Sequence, residues 1–310
     1  MTVTTPPRTT VVHGWPGYEG ANIRTWIGFK HLIYLVEQAL LRWLEDRGTN
    51  SRDLYLGHGL GFEIVDCSVQ LPAVLELDDR VRAEVIGTGS ELDVRLLAAR
   101  DDHDVTVLRG KVTVALVRER TANEYRPAPD LLRALEVVDL ADAAAPSQPA
   151  PVRLGTGDSV ESVLGSGPGT FLWSWRAPYF YCHFSDRVQH SGFVRALEEV
   201  VDRFLVDRGI SVGRLLNERS WIPVVSRCRV QLRAAAHMEE IIHTTFAVTG
   251  ILRNLMFDAQ MDCYVRRGTE LVHVATARIL HGYAIAAGPG AGRMVELDGE
   301  VWRALTGRAK

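Results

Sequence analysis

Two segments of the chain are apolar around most of the circumference that a helix would present. Apolar residues recur at helical spacing from Leu32 to Leu44 and again from Phe193 to Leu205, leaving a narrow polar stripe in each segment. A helix of this kind is enclosed by other elements rather than lying on a surface. Gly48 and Gly209 end the two patterns, as glycine commonly does at a helix C-terminus. The pattern predicts one long buried helix in each half of the chain.

A series of runs rich in β-branched residues follows each predicted helix, and polar turn residues separate the last two runs of each half, as in a hairpin. The runs are 67–77, 81–88, 92–99 and 105–117 in the first half and 227–235, 240–250, 255–265 and 270–280 in the second. A buried helix followed by an antiparallel sheet predicts an α+β unit in which the sheet wraps the helix.

The two halves align with each other at a constant offset of 161 positions. Tyr18 aligns with Tyr179, Glu37 with Glu198, and the Cys-x-Val-Gln-Leu sequence that begins at Cys67 with the one that begins at Cys228. A register held over so much of the chain indicates a tandem duplication of one compact unit. We therefore expect the two copies to superpose and their sheets to join into one continuous surface.

The boundary between the copies is marked by composition. Residues 141–170 are rich in Ala, Pro, Gly and Ser and contain few large apolar side chains, which is typical of a linker. We predict a first unit over 1–140, a linker over 141–170 and a second unit over 171–310.

Composition and charge exclude several functional classes. The net charge of the 310-residue chain is −3, which favours neither nucleic acid nor an anionic membrane as a partner. The four cysteines form no Cys-x-x-Cys pair, so we expect no metal site and no disulfide framework. The polar N-terminus lacks the apolar core of a signal peptide, and no apolar run is long enough to span a bilayer. We predict a cytoplasmic protein without a cofactor.

The helix FVRALEEVVDRFLVDRGI, residues 193–210, resembles the Tyr-Leu-Arg-x-Leu-Glu-Glu helix of the 4-hydroxybenzoyl-CoA thioesterase-like proteins, which have the hotdog fold. The match covers roughly 15–120 and 175–283, so the resemblance implies a tandem, or double, hotdog. It also implies acyl-thioester sites at the interface between the two units, acyl-CoA or acyl carrier protein as the substrate, and a monomer or homodimer in solution.

The resemblance places two different residues where this family has its catalytic carboxylate, ten positions before the aromatic residue of the helix motif. These residues are Asn22 in the first copy and His183 in the second. An asparagine there is similar to the hotdog thioesterases of enediyne polyketide pathways, in which Asn and helix arginines replace the acid. Because the copies have diverged at this position, we expect one interface pocket to be open and the other narrowed or filled.

The dipeptide His183-Phe184 is similar to a different hotdog branch, the β-hydroxyacyl carrier-protein dehydratases, whose histidine acts with a helix carboxylate of the partner unit. Glu37 is the equivalent carboxylate across the interface, and Glu198 is its counterpart in the second copy. We predict His183 as a general base that lies at a pocket between the halves. Asn22 then orients water or polarises the carbonyl, and the amides at a helix start, such as that of His190, assist.

Further candidates concern substrate binding. Arg227 and Arg229 share one face of a predicted strand, where they either bind the phosphates of coenzyme A or an acidic carrier protein or form a solvated face. Tyr18 and Tyr179, equivalent residues ahead of the two helices, are also candidate substrate-binding residues.

Three functions remain open on the sequence. They are a thioesterase acting on a polyketide or fatty acyl thioester, a β-hydroxyacyl-thioester dehydratase, and a non-catalytic acyl-binding or scaffold protein. We favour the thioesterase because the whole helix resembles that branch more than the dehydratases.

Overall fold

The computed structural model describes residues 9–101, 103–122, 124–144 and 151–307. The predictions for the first eight residues of the polar N-terminus and for 145–150 of the linker lie outside these ranges. No helix in the described ranges is long and apolar enough to cross a membrane.

Each half of the chain consists of one long helix and five main strands. The first half contains β1 (Thr9–Gly14), α1 (Phe29–Glu45), α2 (Ser51–Asp53), β2 (Leu60–Gln70), β3 (Arg80–Ile86), β4 (Glu91–Arg100), β5 (His103–Arg118) and β6 (Glu136–Val137). The connection contains α3 (Leu140–Ala143), β7 (Val152–Arg153) and α4 (Val160–Leu164). The second half contains β8 (Phe171–Arg176), β9 (Cys182–His183), β10 (Arg187–Val188), α5 (His190–Asp207), α6 (Val212–Arg219), β11 (Trp221–Leu232), β12 (Ile241–Leu252), β13 (Met256–Arg267), β14 (Glu270–Ile285) and α7 (Gly299–Thr306).

The five main strands of each half form one sheet, and β9 and β10 pair separately. The order of the sheet is β1-β3-β4-β5-β2 in the first half, continued by β11-β14-β13-β12-β8 in the second. The two halves meet where β2 pairs with β11 in antiparallel orientation, and in that register Ser68 pairs with Arg229. These residues are 161 positions apart, so each pairs with its own equivalent and a pseudo-two-fold axis passes between them. The α+β tandem fold and the continuous sheet are confirmed.

The long helices α1 and α5 lie against the inner face of this sheet. Their apolar positions form one core with the inward-facing strand residues, and Leu40, Trp43 and Phe204 are fully buried in it. Across the axis, Nε of Arg195 donates a hydrogen bond to the hydroxyl of Tyr34 at 2.5 Å. These two residues are also equivalent, so the helices contact each other through the same position in each copy.

The structure departs from the predicted elements in three places. The edge strands β1 and β8 were not predicted, because each is short and carries no clear alternation. The hairpin of β12 and β13 has twelve residues in each strand, whereas the equivalent β3 has seven. The linker contains α4 and also β7, which pairs with β14, so part of it packs on the second unit.

Candidate active site

A cavity of about 1020 Å³ lies at one of the two interfaces between the halves. The first half contributes the chain leading into α1 and the loop after β2, and the second contributes one face of α5, the first half of β11 and the end of β14. The tip of the long β12–β13 hairpin covers one side. Most of the lining is apolar, and the charged or amide side chains within it are Asn22, Gln70, Glu198, Asp202, Arg227, Arg253 and His281.

Asn22 is held at the start of α1. Its backbone amide donates to the carbonyl of Trp26 at 3.2 Å, which closes the loop ahead of the helix. The side-chain amide lies against Gly28, the N-cap residue, where a Cβ would come within 2.2 Å of Asn22 Nδ2. Glycine at position 28 therefore lets Asn22 approach the helix end. No side chain caps α1, and its first turn contains no acidic residue, so its leading amides remain available to a ligand.

Glu198 reaches the same region from α5. Its Oε2 accepts from Nζ of Lys30, in the first turn of α1, at 2.8 Å. Burial disfavours the charge of Lys30, but the hydrogen bond and the charge of Glu198 outweigh burial and raise the pKa of this lysine above its ordinary value. The pair links the two halves and fixes a carboxylate near the amides at the start of α1.

The second interface is filled instead of open. Oε1 of Glu63 accepts from His183 Nε2 at 2.6 Å and from Arg187 Nε at 2.9 Å, and Arg187 also pairs with Glu119. Glu63 is inaccessible to solvent, and Arg187 and Glu119 are almost so. In the 161-residue register, Glu63 and Arg187 correspond to Val224 and Trp26, which both line the open cavity. Ion-paired side chains thus occupy the space that the other interface leaves empty, as the divergence of the copies predicts.

A second glycine makes room for this network. A Cβ on Gly61 would come within 2.1 Å of Glu119 Oε1 and 2.7 Å of an Arg187 nitrogen. The equivalent residue at the open interface is Ile222, whose side chain forms part of the cavity wall. One small and one large residue at equivalent positions therefore distinguish the filled interface from the open one.

The buried network shifts several pKa values. Burial opposes ionisation of Glu63, but the charges of His183 and Arg187 and their hydrogen bonds lower the pKa of this carboxyl overall. Burial disfavours protonation of His183, yet Glu63 raises the pKa of the imidazole. Glu37 faces the network from α1, and burial raises the pKa of its carboxyl to about 7, against the opposing effects of His183 and Arg195. This interface therefore favours the charged form of His183, which is hydrogen-bonded to the Glu63 carboxylate.

The predicted site residues divide between the two interfaces and the surface. Asn22, Glu198 and Arg227 line the open cavity, whereas His183 and Glu37 lie at the filled interface. His183 does not line the open cavity, and its Nε2 is already bound to Glu63, so the geometry gives no support to its expected place at a pocket. His183 is hydrogen-bonded to Glu63, and only its charge acts on Glu37, so the cross-unit pair of His183 and Glu37 stays a prediction. The dehydratase hypothesis also needs an open pocket beside that pair.

Four other candidates lie away from the cavity lining. His190 begins α5, is buried, and its Nε2 lies 3.3 Å from the carbonyl of Val230. Burial lowers the pKa of His190 to about 4. Tyr18 and Tyr179 are exposed, by 87% and 72% respectively, and Arg229 is bound to Asp66 on the outer face of the sheet.

The sequence interpretation did not identify Lys30, Glu63 or Arg187. The duplication contained a signal for the last two, since aligning the copies sets Glu63 against Val224 and Arg187 against Trp26. A charge in one copy opposite an apolar residue in the other marks a place where the two interfaces differ. Nothing in the local pattern distinguishes Lys30 from a solvated lysine.

Solved structures resemble the chain across both halves. A 12:0-ACP thioesterase from Umbellularia californica is 11% identical with a TM-score of 0.58, and the match covers 90% of this chain and 95% of that one. A putative oleoyl thioesterase from Lactobacillus plantarum is 12% identical with a TM-score of 0.54, over 88% and 95% of the two chains. An acyl-ACP thioesterase from Bacteroides thetaiotaomicron is 10% identical with a TM-score of 0.52, over 88% and 98%. No protein-family model matches the sequence, and no curated protein matches it significantly.

Proposed function

We propose that this double hotdog protein binds an acyl thioester in the open interface cavity and hydrolyses it. One observation carries the proposal: a mostly apolar cavity that both halves build is lined by the carboxylate of Glu198 and the carboxamide of Asn22, and the uncapped start of α1 lies in its wall. The likeness to thioesterases extends over both units and so supports the same chemistry.

The apolar walls suit an acyl chain, because ligand pockets are mostly apolar with a few placed polar groups. The thioester carbonyl lies at the start of α1, where the amides of Phe29 and Lys30 have no acceptor within the helix. The helix dipole and these amides favour the negative charge that develops on the carbonyl oxygen. Asn22 Nδ2, held against Gly28, donates to the same oxygen or orients the water.

Glu198 is the general base in this proposal. Its carboxylate takes a proton from a water molecule, whose oxygen forms a bond to the carbonyl carbon. The carbon–sulfur bond then breaks, the thiolate receives the proton from Glu198, and the products are a carboxylic acid and a thiol. Lys30, in the first turn of α1, holds the Glu198 carboxylate in place through the 2.8 Å ion pair.

The first experiment measures thiol release from a panel of acyl-CoA and acyl-N-acetylcysteamine thioesters of increasing chain length. Val224→Phe adds bulk to the cavity wall, so we expect it to weaken the apparent affinity for the longest accepted chain about ten-fold or more, in line with the cost of overpacking. Val206→Phe is the matched control, because Val206 is 57% exposed on α5 and does not line the cavity. Hydrolysis of no thioester by the parent, or equal behaviour of the two variants, contradicts the proposal.

Arg227 is the candidate residue for binding the carrier end of the substrate, which is the coenzyme A or phosphopantetheine portion attached to the thioester sulfur. It is exposed and lines both the cavity and a groove on the outer face of the sheet, where the basic residues Arg95, Arg109 and Lys111 and the acidic residues Glu91 and Asp93 also lie. No ion pair of Arg227 is seen in the described part of the chain, whereas Arg229 is bound to Asp66. An unpaired arginine beside other basic residues favours the phosphates of coenzyme A or of a phosphopantetheine arm.

For the carrier end we expect Arg227→Ala to raise KM for an acyl-CoA about three-fold to ten-fold at low salt and to leave kcat unchanged. The same variant should leave KM for the N-acetylcysteamine thioester unchanged, since that substrate has no phosphate. Arg229→Ala is the control. A rise in KM for both substrates, or the same rise in Arg229→Ala, would show that Arg227 does not bind phosphate.

A further inference from the structure

The floor of the cavity is apolar with one exception. Ten of its lining residues are buried, and nine of them have apolar side chains; the tenth is His281, which is 3% exposed. The nine are Ile27, Phe29, Leu32, Leu75, Val201, Leu205, Ile222, Ile279 and Ala284. A plain acyl chain has no polar group at such a depth, so its binding does not account for a histidine in the floor of the cavity.

The side chain of His281 has no hydrogen-bond partner among the described residues. Its ring packs between the ring of Phe257, at 4.8 Å between centroids, and that of Tyr283, at 5.7 Å. The buried Nδ1 is unpartnered. Burial lowers the pKa of His281 to about 3, so the ring is neutral near neutral pH and offers one donor and one acceptor.

The fold itself does not require a histidine at this position. Val225 pairs with His281 between β11 and β14, and the equivalent Ile64 pairs with Val114 between β2 and β5. The first copy therefore has valine where the second has His281. Leaving a buried polar group without a partner destabilises the folded protein, a cost that valine would avoid. A ligand that bonds the ring offsets this cost.

We propose that His281 hydrogen-bonds a hydroxyl or keto oxygen on the acyl chain, so that the substrate class is an oxygenated acyl thioester rather than a plain saturated one. This inference rests on the proposed function, because it takes the cavity as the acyl site. A neutral imidazole among apolar side chains suits a neutral oxygen and not a carboxylate, whose burial without a counter-charge is far more costly.

The test measures binding to the intact protein, with non-hydrolysable amide analogues of acyl-N-acetylcysteamine. One analogue has a saturated chain, and the others have the same chain with one hydroxyl at successive carbons. We expect one hydroxylated analogue to bind the parent about ten-fold to a hundred-fold more tightly than the saturated one, as for a site whose polar group is otherwise left unpaired. His281→Val, which introduces the residue of the first copy, should remove this preference and leave the affinity for the saturated chain unchanged or higher.

Two further variants distinguish hydrogen bonding from a packing effect. His281→Asn retains a donor and an acceptor and should preserve part of the preference. Tyr283→Phe removes another unpartnered buried polar atom of β14, one that does not line the cavity, and should leave the preference intact. Equal binding of all analogues by the parent, or an unchanged preference in His281→Val, overturns the inference about His281 but leaves the proposed function standing. Binding of no analogue overturns the proposed function as well, and the absence of turnover does not affect this test.

Discussion

Glu198→Gln is expected to lower kcat for an accepted acyl thioester by about a hundred-fold to ten-thousand-fold, the contribution typical of a positioned general base. Glutamine keeps the size of the side chain and still contacts Lys30, but its amide cannot take a proton from water. Steady-state thiol release measures kcat, and the binding of an amide analogue reports whether the cavity is intact. Asn22→Ala, which removes a positioning group, should cost less.

The duplication supplies a matched control for this substitution. Glu37 is equivalent to Glu198, lies on the equivalent face of α1, and points at the filled interface. Glu37→Gln should therefore keep the kcat of the parent. Full activity in Glu198→Gln, together with its loss in Glu37→Gln or His183→Ala, would move the catalytic centre to the filled interface and restore the role that the sequence suggested for His183.

Glu37→Gln is expected to stabilise the protein at alkaline pH by about 3 kcal/mol. The pKa of Glu37 is about 7 in the folded protein against an ordinary value of 4.5, so the folded state holds this proton more tightly than the unfolded chain. The free energy of unfolding then falls as pH rises from about 4.5 to 7 and stays lower above that, by roughly 1.4 kcal/mol for each pKa unit. Glutamine has no charge to bury and avoids the loss.

Urea unfolding followed by tryptophan fluorescence, at pH 4 and pH 8.5, measures this difference directly. Variant and parent should be nearly equal at the acidic pH and differ at the alkaline one. Glu198→Gln is again the control, because it removes a partly exposed ion pair with Lys30 and should change stability by less than about 1 kcal/mol in the unfavourable direction. If Glu37→Gln raises the free energy of unfolding equally at both pH values, its effect comes from packing and not from the removal of a buried charge.

The filled interface contains a buried network of ion pairs. A buried ion pair is costly to desolvate, but breaking one by removing a single partner costs more. The Glu63, His183, Arg187 and Glu119 network joins β2 and the end of β5 to the segment ahead of α5. It therefore holds the two units together at the filled interface.

The sequence by itself determined the duplication, the long central helix of each copy and most of the sheet. The helices and strands follow from the periodicity of apolar residues, which is a local property of the sequence. The duplication follows from the constant offset of 161 positions, which is seen by aligning the sequence with itself. The resemblance to hotdog proteins selected Asn22, the register aligned Glu198 with Glu37, and both Asn22 and Glu198 line the open cavity. The edge strands β1 and β8 were not predicted, because they are short and their pairing partners lie far along the chain.

Only the tertiary structure decided which interface is open. Glu63, Glu119 and Arg187 lie on three segments separated by 56 to 124 positions, and whether they fill a pocket depends on the directions of their side chains after the strands have paired. The Lys30–Glu198 pair likewise forms only when α1 and α5 meet across the axis. A sequence records the charges of these residues but not the distances between them, and those distances determine whether charges form a buried network or leave a cavity for a ligand.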